Sequence, residues 1–183
     1  MSNLSALGIK VLLLLISVVF NFFEFCVLMR FLLQVVKADF RNPFCQFLIK
    51  ATSPALHPLR RVIPGFYGID CAALVLFYGL VWGEFSLSSL LIFQYWSAMS
   101  FLKAVLAGVH FYLNLTFFII IVNALMSWIP NAKYQPMGIL LHLLAEPYLK
   151  WIRRVIPIIS GFDLSPLIAL VVIQILNMGL AAL

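Results

Sequence analysis

Long runs of apolar residues restrict what this sequence can fold into. The first run covers residues 11–36, and three more cover residues 71–93, 104–129 and 164–183. A membrane-spanning helix needs roughly 20 predominantly apolar residues, so each run is long enough to cross a bilayer. The composition agrees, because 64% of the residues are hydrophobic and 10% are charged, whereas a soluble domain is about half apolar and about a quarter charged. The sequence predicts an all-α membrane protein with four transmembrane helices and no separate soluble domain.

The basic residues predict the orientation of these helices. Most of them lie in two loops, residues 37–70 and 130–163, and loops rich in Lys and Arg stay on the cytoplasmic side. Two loops on one side need an even number of crossings between them, which the second and third runs supply. We therefore expect both loops in the cytoplasm and both termini outside. The loop residues are Lys37, Arg41, Lys50, Arg60 and Arg61, then Lys133, Lys150, Arg153 and Arg154.

An alternative has five transmembrane helices. Gly83 and Glu84 could end a short second helix, and residues 85–102 could then form another crossing. The two loops would lie on opposite faces as inverted repeats, as in many transporters.

The chain contains an internal repeat at an offset of 93 residues. Over positions 43–70, 11 of 28 residues are identical to those 93 positions later. The repeat predicts two halves, residues 1–93 and 94–183, each built as helix, basic loop and helix. The identities are Pro43 with Pro136, Leu48 with Leu141, Pro54 with Pro147, Leu56 with Leu149, Arg60 to Pro64 with Arg153 to Pro157, Gly68 with Gly161, and Asp70 with Asp163.

Each loop is predicted to begin with a short amphipathic helix. Apolar residues recur at helical spacing, which gives one apolar stripe suited to the membrane interface. Pro54 and Pro147 are expected to end this helix or to start the next, with Ser53 or Glu146 as its cap. The stripe residues are Phe44, Phe47, Leu48 and Ala51, then Met137, Leu140, Leu141 and Leu144.

The residues after these prolines permit two interpretations. In the first, the loops are interface anchors: Asp70 and Asp163 cap the next helix, while Arg61 and Arg154 form ion pairs with them. In the second, the two arginine pairs form one basic surface for a partner or an anionic ligand, because guanidinium groups bind phosphate in bidentate fashion. In both interpretations, Pro64 and Pro157 end the helical turn that carries the arginines. Gly68 and Gly161 then allow a sharp turn of the chain.

A set of short motifs recurs in both loops. This set resembles the YggT family, also called YlmG, of integral membrane proteins, over about residues 11–80 and 104–179. The two-repeat form is similar to that of proteobacterial inner-membrane members. Arg30 matches an arginine that the family often has late in the first transmembrane helix, and Asn123 stands there in the second copy. The motifs are Asn42-Pro43, Ser53-Pro54, Arg60-Arg61-Val62-Ile63-Pro64 and Gly68-Ile69-Asp70, then Glu146-Pro147, Arg153-Arg154-Val155-Ile156-Pro157 and Gly161-Phe162-Asp163-Leu164-Ser165-Pro166.

The resemblance implies a bacterial inner-membrane location and no agreed biochemical activity. Members of the family are associated with tolerance of osmotic shock and ion balance in bacteria and with cell division. In plastids they are associated with nucleoid distribution and cytochrome assembly.

Three ionisable residues fall within the predicted transmembrane helices: Glu24, Arg30 and Glu84. An ionisable group at that depth is costly and is often functional. Glu24 is expected to be protonated or to face another helix, with a proton or cation role as one interpretation. Arg30 can extend to the cytoplasmic interface or pair with a carboxylate. Gly79 and Gly83 have the spacing of a close helix contact.

We predict no enzyme activity, no cofactor and no metal site. His57, His110 and His142 are far apart in sequence, and the sequence lacks a nucleophile elbow, a phosphate-binding loop and a dinucleotide fingerprint. The net charge of +6 is better matched to anionic lipid than to nucleic acid, since the basic residues are sparse and flanked by apolar runs. A membrane protein or a second copy of the chain is the expected protein partner.

Two functions are consistent with these observations. The first is an accessory scaffold or assembly factor that acts through the two basic loops. The second is a transporter or channel component for potassium or protons, with Glu24, Arg30 and Glu84 along its path.

Overall fold

The computed structural model describes residues 2–66, 68–93, 99–155 and 163–182, and these ranges contain six α-helices joined by turns and short loops. Apart from an isolated bridge between Phe66 and Ile69, these ranges contain no β structure, which confirms the all-α prediction. A 3-10 turn, Ala132–Tyr134, precedes the fifth helix. The helices are α1 (Ser2–Val35), α2 (Pro43–Val62), α3 (Cys71–Phe93), α4 (Met99–Met126), α5 (Pro136–Val155) and α6 (Ser165–Ala181).

Three of the described helices are long and apolar enough to cross a membrane. These candidate spans are Leu7–Val35 in α1, Cys71–Ile92 in α3 and Phe101–Met126 in α4. The fourth predicted run, residues 164–183, contains the shorter apolar helix α6, which has 17 residues. These lengths and compositions fit a membrane protein.

Helix α3 continues without a break past Gly83 and Glu84 to Phe93. The helix end that the five-span alternative places at these two residues is therefore absent from the structure. Residues 94–98, which belong to the extra crossing of that alternative, lie outside the described part of the chain.

Each basic loop contains one 20-residue amphipathic helix, and the two are related by the 93-residue offset. Helix α2 begins at Pro43 and α5 at Pro136, so proline occupies the first helical position in both, where its missing N–H costs nothing. Equivalent positions are buried in the two helices. They are Cys45, Leu48, Thr52 and Leu56 in α2, and Gly138, Leu141, Ala145 and Leu149 in α5.

The prediction that Pro54 and Pro147 end or start a helix is wrong, because both lie inside a continuous helix, as does Pro58. A proline in a helix interior removes one hydrogen bond and leaves a carbonyl without its donor. All three prolines are on the exposed side of their helix, where the unpaired carbonyl is not sealed within the protein.

The helices pack as two compact units. The first consists of Met1–Phe31 and Phe47–Gly108, and the second of Leu32–Gln46 and Val109–Leu183. In the second unit α5 packs along α6. Buried side chains of the first unit include Val27, Leu48, Leu56 and Phe77, and those of the second include Leu33, Ile120, Leu149 and Ile173.

Gly108 lies against two aromatic rings of the first unit. A Cβ atom at this position would lie 2.6 Å from Cε1 of Tyr78 and 3.4 Å from Cε1 of Phe77. Because a packed interior resists added volume, we expect Gly108→Ala to lower the free energy of unfolding by about 1–3 kcal/mol. Denaturant unfolding in detergent micelles measures this difference.

Gly79→Ala is the matched control. Nothing lies within 4 Å of a Cβ at Gly79, whereas one at Gly83 would lie 3.3 Å from the Phe20 ring. Alanine in a helix is favoured over glycine by about 1 kcal/mol, so Gly79→Ala should leave stability unchanged or raise it. Equal losses in the two variants would show that close packing at Gly108 is unimportant.

Candidate functional site

The last turns of α2 and α5 carry the repeated arginine pairs, and in each pair the first arginine contacts the following helix. Arg60 Nε lies 3.1 Å from Asp70 Oδ2, and Arg60 Nη2 donates to the same oxygen. Arg153 repeats this arrangement on Asp163, with distances of 3.0 Å from Nε and 2.7 Å from Nη2. The same two-donor contact therefore ties each amphipathic helix to the start of the next one.

The prediction that Arg61 and Arg154 form these ion pairs is wrong. Arg60 follows the buried Leu56 by four positions, so it lies on the packed side of α2. Arg61 is turned by about 100° from Arg60, since a helix has 3.6 residues per turn. The next arginine of each pair consequently faces outward.

Asp70 caps the helix that follows, as the sequence predicts, whereas Asp163 lies one position before the Leu164 cap and bonds the first residue of α6. Asp70 Oδ1 accepts from the Ala73 N–H at 3.3 Å, and Asp163 Oδ1 accepts from the Ser165 N–H at 2.9 Å. Each aspartate thus uses one oxygen for its arginine and the other for the helix start, where backbone donors lack intrahelical partners.

A second carboxylate joins the cluster in the second copy. Glu146 accepts from Arg153 Nη1 at 3.0 Å and 3.3 Å, so its expected role as a helix cap is replaced by an ion pair. Burial lowers the pKa of Arg153, but the contacts with Asp163 and Glu146 outweigh it and raise that pKa overall. Burial raises the pKa of Asp163, yet hydrogen bonds from Ser165 and Arg153 outweigh it and lower that pKa overall.

The second arginines, Arg61 and Arg154, are exposed and form no hydrogen bond or ion pair with the described residues. Large apolar side chains lie beside them: Val62 is 80% exposed, Trp151 is 72% exposed and Val155 is 74% exposed. We call these exposed surfaces the basic faces. Their residues are Lys50, His57, Arg61 and Val62 on α2, and Lys150, Trp151, Arg154 and Val155 on α5.

The other motif residues shape the turn between the helices. Pro64 follows the end of α2, and Gly68 has φ of +82°, a conformation that favours glycine. Phe66 and Ile69 exchange backbone hydrogen bonds of 3.2 Å and 2.9 Å across this turn. The equivalents in the second copy, Pro157 and Gly161, lie outside the described residues.

Arg30 is buried, with 7% of its surface exposed. Among the described residues no ion pair joins it to a carboxylate, contrary to one of its two predicted arrangements. Its Nη1 donates instead to Thr52 Oγ1 at 2.6 Å and to Ser53 Oγ at 3.3 Å. Thr52 in turn donates to the Leu48 carbonyl at 2.6 Å. Ser53 therefore serves as an acceptor for Arg30 within α2 and caps no helix.

The second copy lacks this contact, because Asn123 and Ala145 stand at the positions of Arg30 and Thr52. Both residues of the Arg30–Thr52 contact are therefore replaced in the second copy. The two copies thus share the arginine–aspartate contact that follows each amphipathic helix, but only the first holds an arginine within a candidate span.

Glu24 and Glu84 lie within the candidate spans of the first unit. Glu24 is 2% exposed, and its Oε1 has no hydrogen-bond partner among the described residues. Glu24 follows Asn21 by three residues and so lies on the same side of α1. Asn21 Nδ2 lies 3.5 Å from Glu84 Oε1.

One polar pair in the apolar helices was missed by the sequence analysis. Asn177 Nδ2 donates to Asn114 Oδ1 at 3.1 Å, and these residues are the 93-residue equivalents of Glu84 and Asn21. Each copy therefore joins its first and last helix by a polar contact at the same register. Extending the repeat comparison beyond positions 43–70 would have found it, because all four residues are polar within apolar runs.

A further contact missed from the sequence joins Tyr112 and Tyr148, whose hydroxyl oxygens lie 2.7 Å apart. Burial, together with this hydrogen bond, raises the pKa of Tyr148. Its position 93 residues earlier is Ala55, so the repeat offers no signal for it. Within the described ranges, no group of three or more His, Cys, Asp or Glu side chains could hold a metal ion.

Comparison with known proteins assigns the family. The CCB3/YggT family matches the chain twice, over residues 9–91 and 102–183. The chain belongs to the CCB3/YggT family. The resemblance noted in the sequence is thus confirmed, and the two matches follow its two repeats.

Two bacterial relatives align over most of the chain, and a third relative aligns over part of it. An uncharacterized protein of Pseudomonas aeruginosa is 37% identical over 168 residues, 83% of this chain and 79% of its own length. The uncharacterized protein YggT of Escherichia coli K12 is 36% identical over 172 residues, 91% of this chain and 87% of its own length. The uncharacterized protein ycf19 of Guillardia theta is 27% identical over 78 residues, 39% of this chain and 85% of its own length. No solved structure matches the chain.

Proposed function

We propose that this CCB3/YggT family protein is an accessory scaffold of the bacterial inner membrane that holds a membrane-protein partner through its two basic faces. The observation that carries the proposal is that the two arginines of each pair have different contacts. Arg60 and Arg153 donate to the aspartates that follow, whereas Arg61 and Arg154 have no such contact among the described residues and lie beside large exposed apolar side chains. Exposed arginines next to exposed aromatic and aliphatic groups are typical of binding surfaces.

The proposal includes four membrane crossings. The three long apolar helices supply three, and α6 with its apolar flanks supplies the fourth, since 17 residues rise about 26 Å. The charge distribution then favours both basic loops on the cytoplasmic side and both termini on the periplasmic side.

The chemistry of the basic faces defines the partner. Each face presents a guanidinium without a partner among the described residues, beside an exposed apolar side chain at the helix end, and a lysine on the same helix. Such a surface suits an acidic juxtamembrane segment of another membrane protein. Anionic lipid headgroups are the natural competitor, because they offer phosphate to the same arginines.

Site-specific photo-crosslinking tests the scaffold. A photoreactive residue replaces His57 or Lys150, both exposed on the basic faces, in cells that produce the full-length protein. We expect a reproducible protein adduct that falls at least about tenfold in the Arg61→Ala, Arg154→Ala double variant, since losing two charge-assisted contacts costs about 1.4 kcal/mol or more.

Lys10→Ala, which removes a basic residue of α1 outside the loops, is the matched control and should leave the adduct unchanged. Thermal unfolding should be the same in the double variant and in the original protein, because Arg61 and Arg154 have no internal partners. Capture of lipid alone, or a protein adduct that persists without the two arginines, would overturn the proposal.

A further inference from the structure

The Glu24 and Glu84 carboxyl groups lie together inside the candidate transmembrane region of the first unit. Glu24 is three residues beyond Asn21, the midpoint of the apolar segment Leu7–Val35. It is 2% exposed, and the buried Oε1 atom has no hydrogen-bond partner among the described residues. An ionised carboxylate at such depth without a hydrogen-bond donor is costly in free energy. Protonation of Glu24 removes that cost.

No ion pair joins either carboxyl group to a basic residue among the described residues. Glu24 lies three residues after Asn21 and so on the same side of α1, and Asn21 contacts Glu84, which places the two carboxyl groups close together. Asn21 approaches Glu84 at 3.5 Å and has a shorter contact of 2.7 Å with the Ser17 carbonyl. The basic residue nearest in sequence, Arg30, donates to Thr52 and Ser53 of α2. Two carboxylates in contact cannot both remain ionised in an apolar environment.

We propose that Glu24 and Glu84 form a proton-binding site that holds one shared proton. The proton comes from water and binds to Glu24, the more buried group, which donates a hydrogen bond to the Glu84 carboxylate. The pair then carries one negative charge in place of two, and release of the proton returns it to water. The site binds H⁺ independently of any scaffold function.

The second copy shows that the carboxyl groups are unnecessary for joining the helices. At the equivalent positions, Asn114 and Asn177 form a neutral hydrogen bond of 3.1 Å, and Phe117 replaces Glu24. The corresponding contact in the first copy could therefore be made by Asn21 and an asparagine at position 84. The two acidic groups are thus additional to what helix pairing requires, which separates a proton-binding role from a structural one.

Infrared difference spectroscopy of the full-length protein tests the proposal directly. The protein is reconstituted into vesicles of phosphatidylethanolamine and phosphatidylglycerol, and the carbonyl stretch of protonated carboxylic acid is recorded at neutral pH in H₂O and D₂O. We expect one such band in the original protein, sensitive to D₂O and lost in Glu24→Gln. In Glu84→Asn the band should persist and shift to higher frequency, because the strong hydrogen bond to a carboxylate is gone.

Glu146→Gln is the matched control, since Glu146 is a partly exposed carboxylate paired with Arg153, and it should leave the band unchanged. The proposal is overturned if no protonated carboxyl band exists at neutral pH, or if Glu24→Gln leaves it in place. A band that appears only when sodium and potassium are replaced by choline would show that an alkali cation occupies the site instead. If circular dichroism shows that Glu24→Gln does not fold, the frequency shift of the carboxyl band in Glu84→Asn tests the proposal instead. That variant places at position 84 the asparagine that the second copy has at the equivalent position.

Discussion

Thr52→Ala is expected to lower the free energy of unfolding by about 2–3 kcal/mol, a large loss for the removal of one hydroxyl and one methyl group. Thr52 is 1% exposed and supplies the 2.6 Å acceptor for the buried guanidinium of Arg30. Among the described residues, removing it leaves the buried charge with only the longer contacts to Ser53 and Ile49. A hydrogen bond to a charged group is worth about 1.5–3 kcal/mol, and a charge left without its partner adds to the loss. Urea unfolding in detergent micelles measures the effect.

A double-mutant cycle isolates the contact itself. The combined change Arg30→Asn with Thr52→Ala reproduces the residues that the second copy has at Asn123 and Ala145. Because the buried charge and its acceptor are removed together, the double variant should be more stable than the sum of the single effects predicts, by about 1–3 kcal/mol. Additive losses would show that Arg30 and Thr52 stabilise the protein separately.

Arg153→Ala is expected to lower stability by about 1–2 kcal/mol, whereas the adjacent Arg154→Ala should change it by less than about 0.5 kcal/mol. Arg153 joins Glu146 in α5 to Asp163 before α6, and its removal leaves two carboxylates facing one another. The groups are about one-third exposed or less, so solvent screening keeps the loss below that of a fully buried pair. Differential scanning calorimetry of both variants in the same detergent makes the comparison.

The contact should also make stability depend on pH. The pKa of Asp163 is lowered in the folded protein, so this carboxylate stabilises the fold above its unfolded pKa of about 3.9. That stabilisation is lost as pH falls through the lower, folded pKa. When the pH is lowered from neutral to strongly acidic, the free energy of unfolding should therefore decrease less in Arg153→Ala than in the original protein. An identical acid dependence in both would contradict the role of Asp163.

The comparison of sequence and structure is clearest at the two arginine pairs. The repeat identified Arg60, Arg61, Arg153 and Arg154 and the aspartates that follow, and the prediction that the aspartate caps the next helix is correct for Asp70. It assigned the ion pairs to the wrong member of each pair. Adjacent residues on a helix differ by about 100° in direction, so the choice depends on which side of α2 and α5 is packed, and that side is set by neighbouring helices.

The prolines show a similar limit. Pro54 and Pro147 have the spacing of helix ends, yet both lie inside continuous helices. The local penalty of about 3 kcal/mol for an interior proline is offset by burial of the stripe that runs through Leu48 and Leu56 in α2 and Leu141 and Leu149 in α5. Local propensity alone contains no information on that burial.

The sequence by itself determined the helical class, the apolar runs, the 93-residue repeat and the residues that begin its helices, because these follow from composition, periodicity and capping within short segments. The tertiary structure alone decided the partner of Arg30, the pairing of Asn21 with Glu84 and of Asn114 with Asn177, and which arginine of each pair remains free for another molecule. Those contacts join residues on different helices, and their formation depends on how the helices rotate and pack. Spacing along one chain leaves that rotation undetermined.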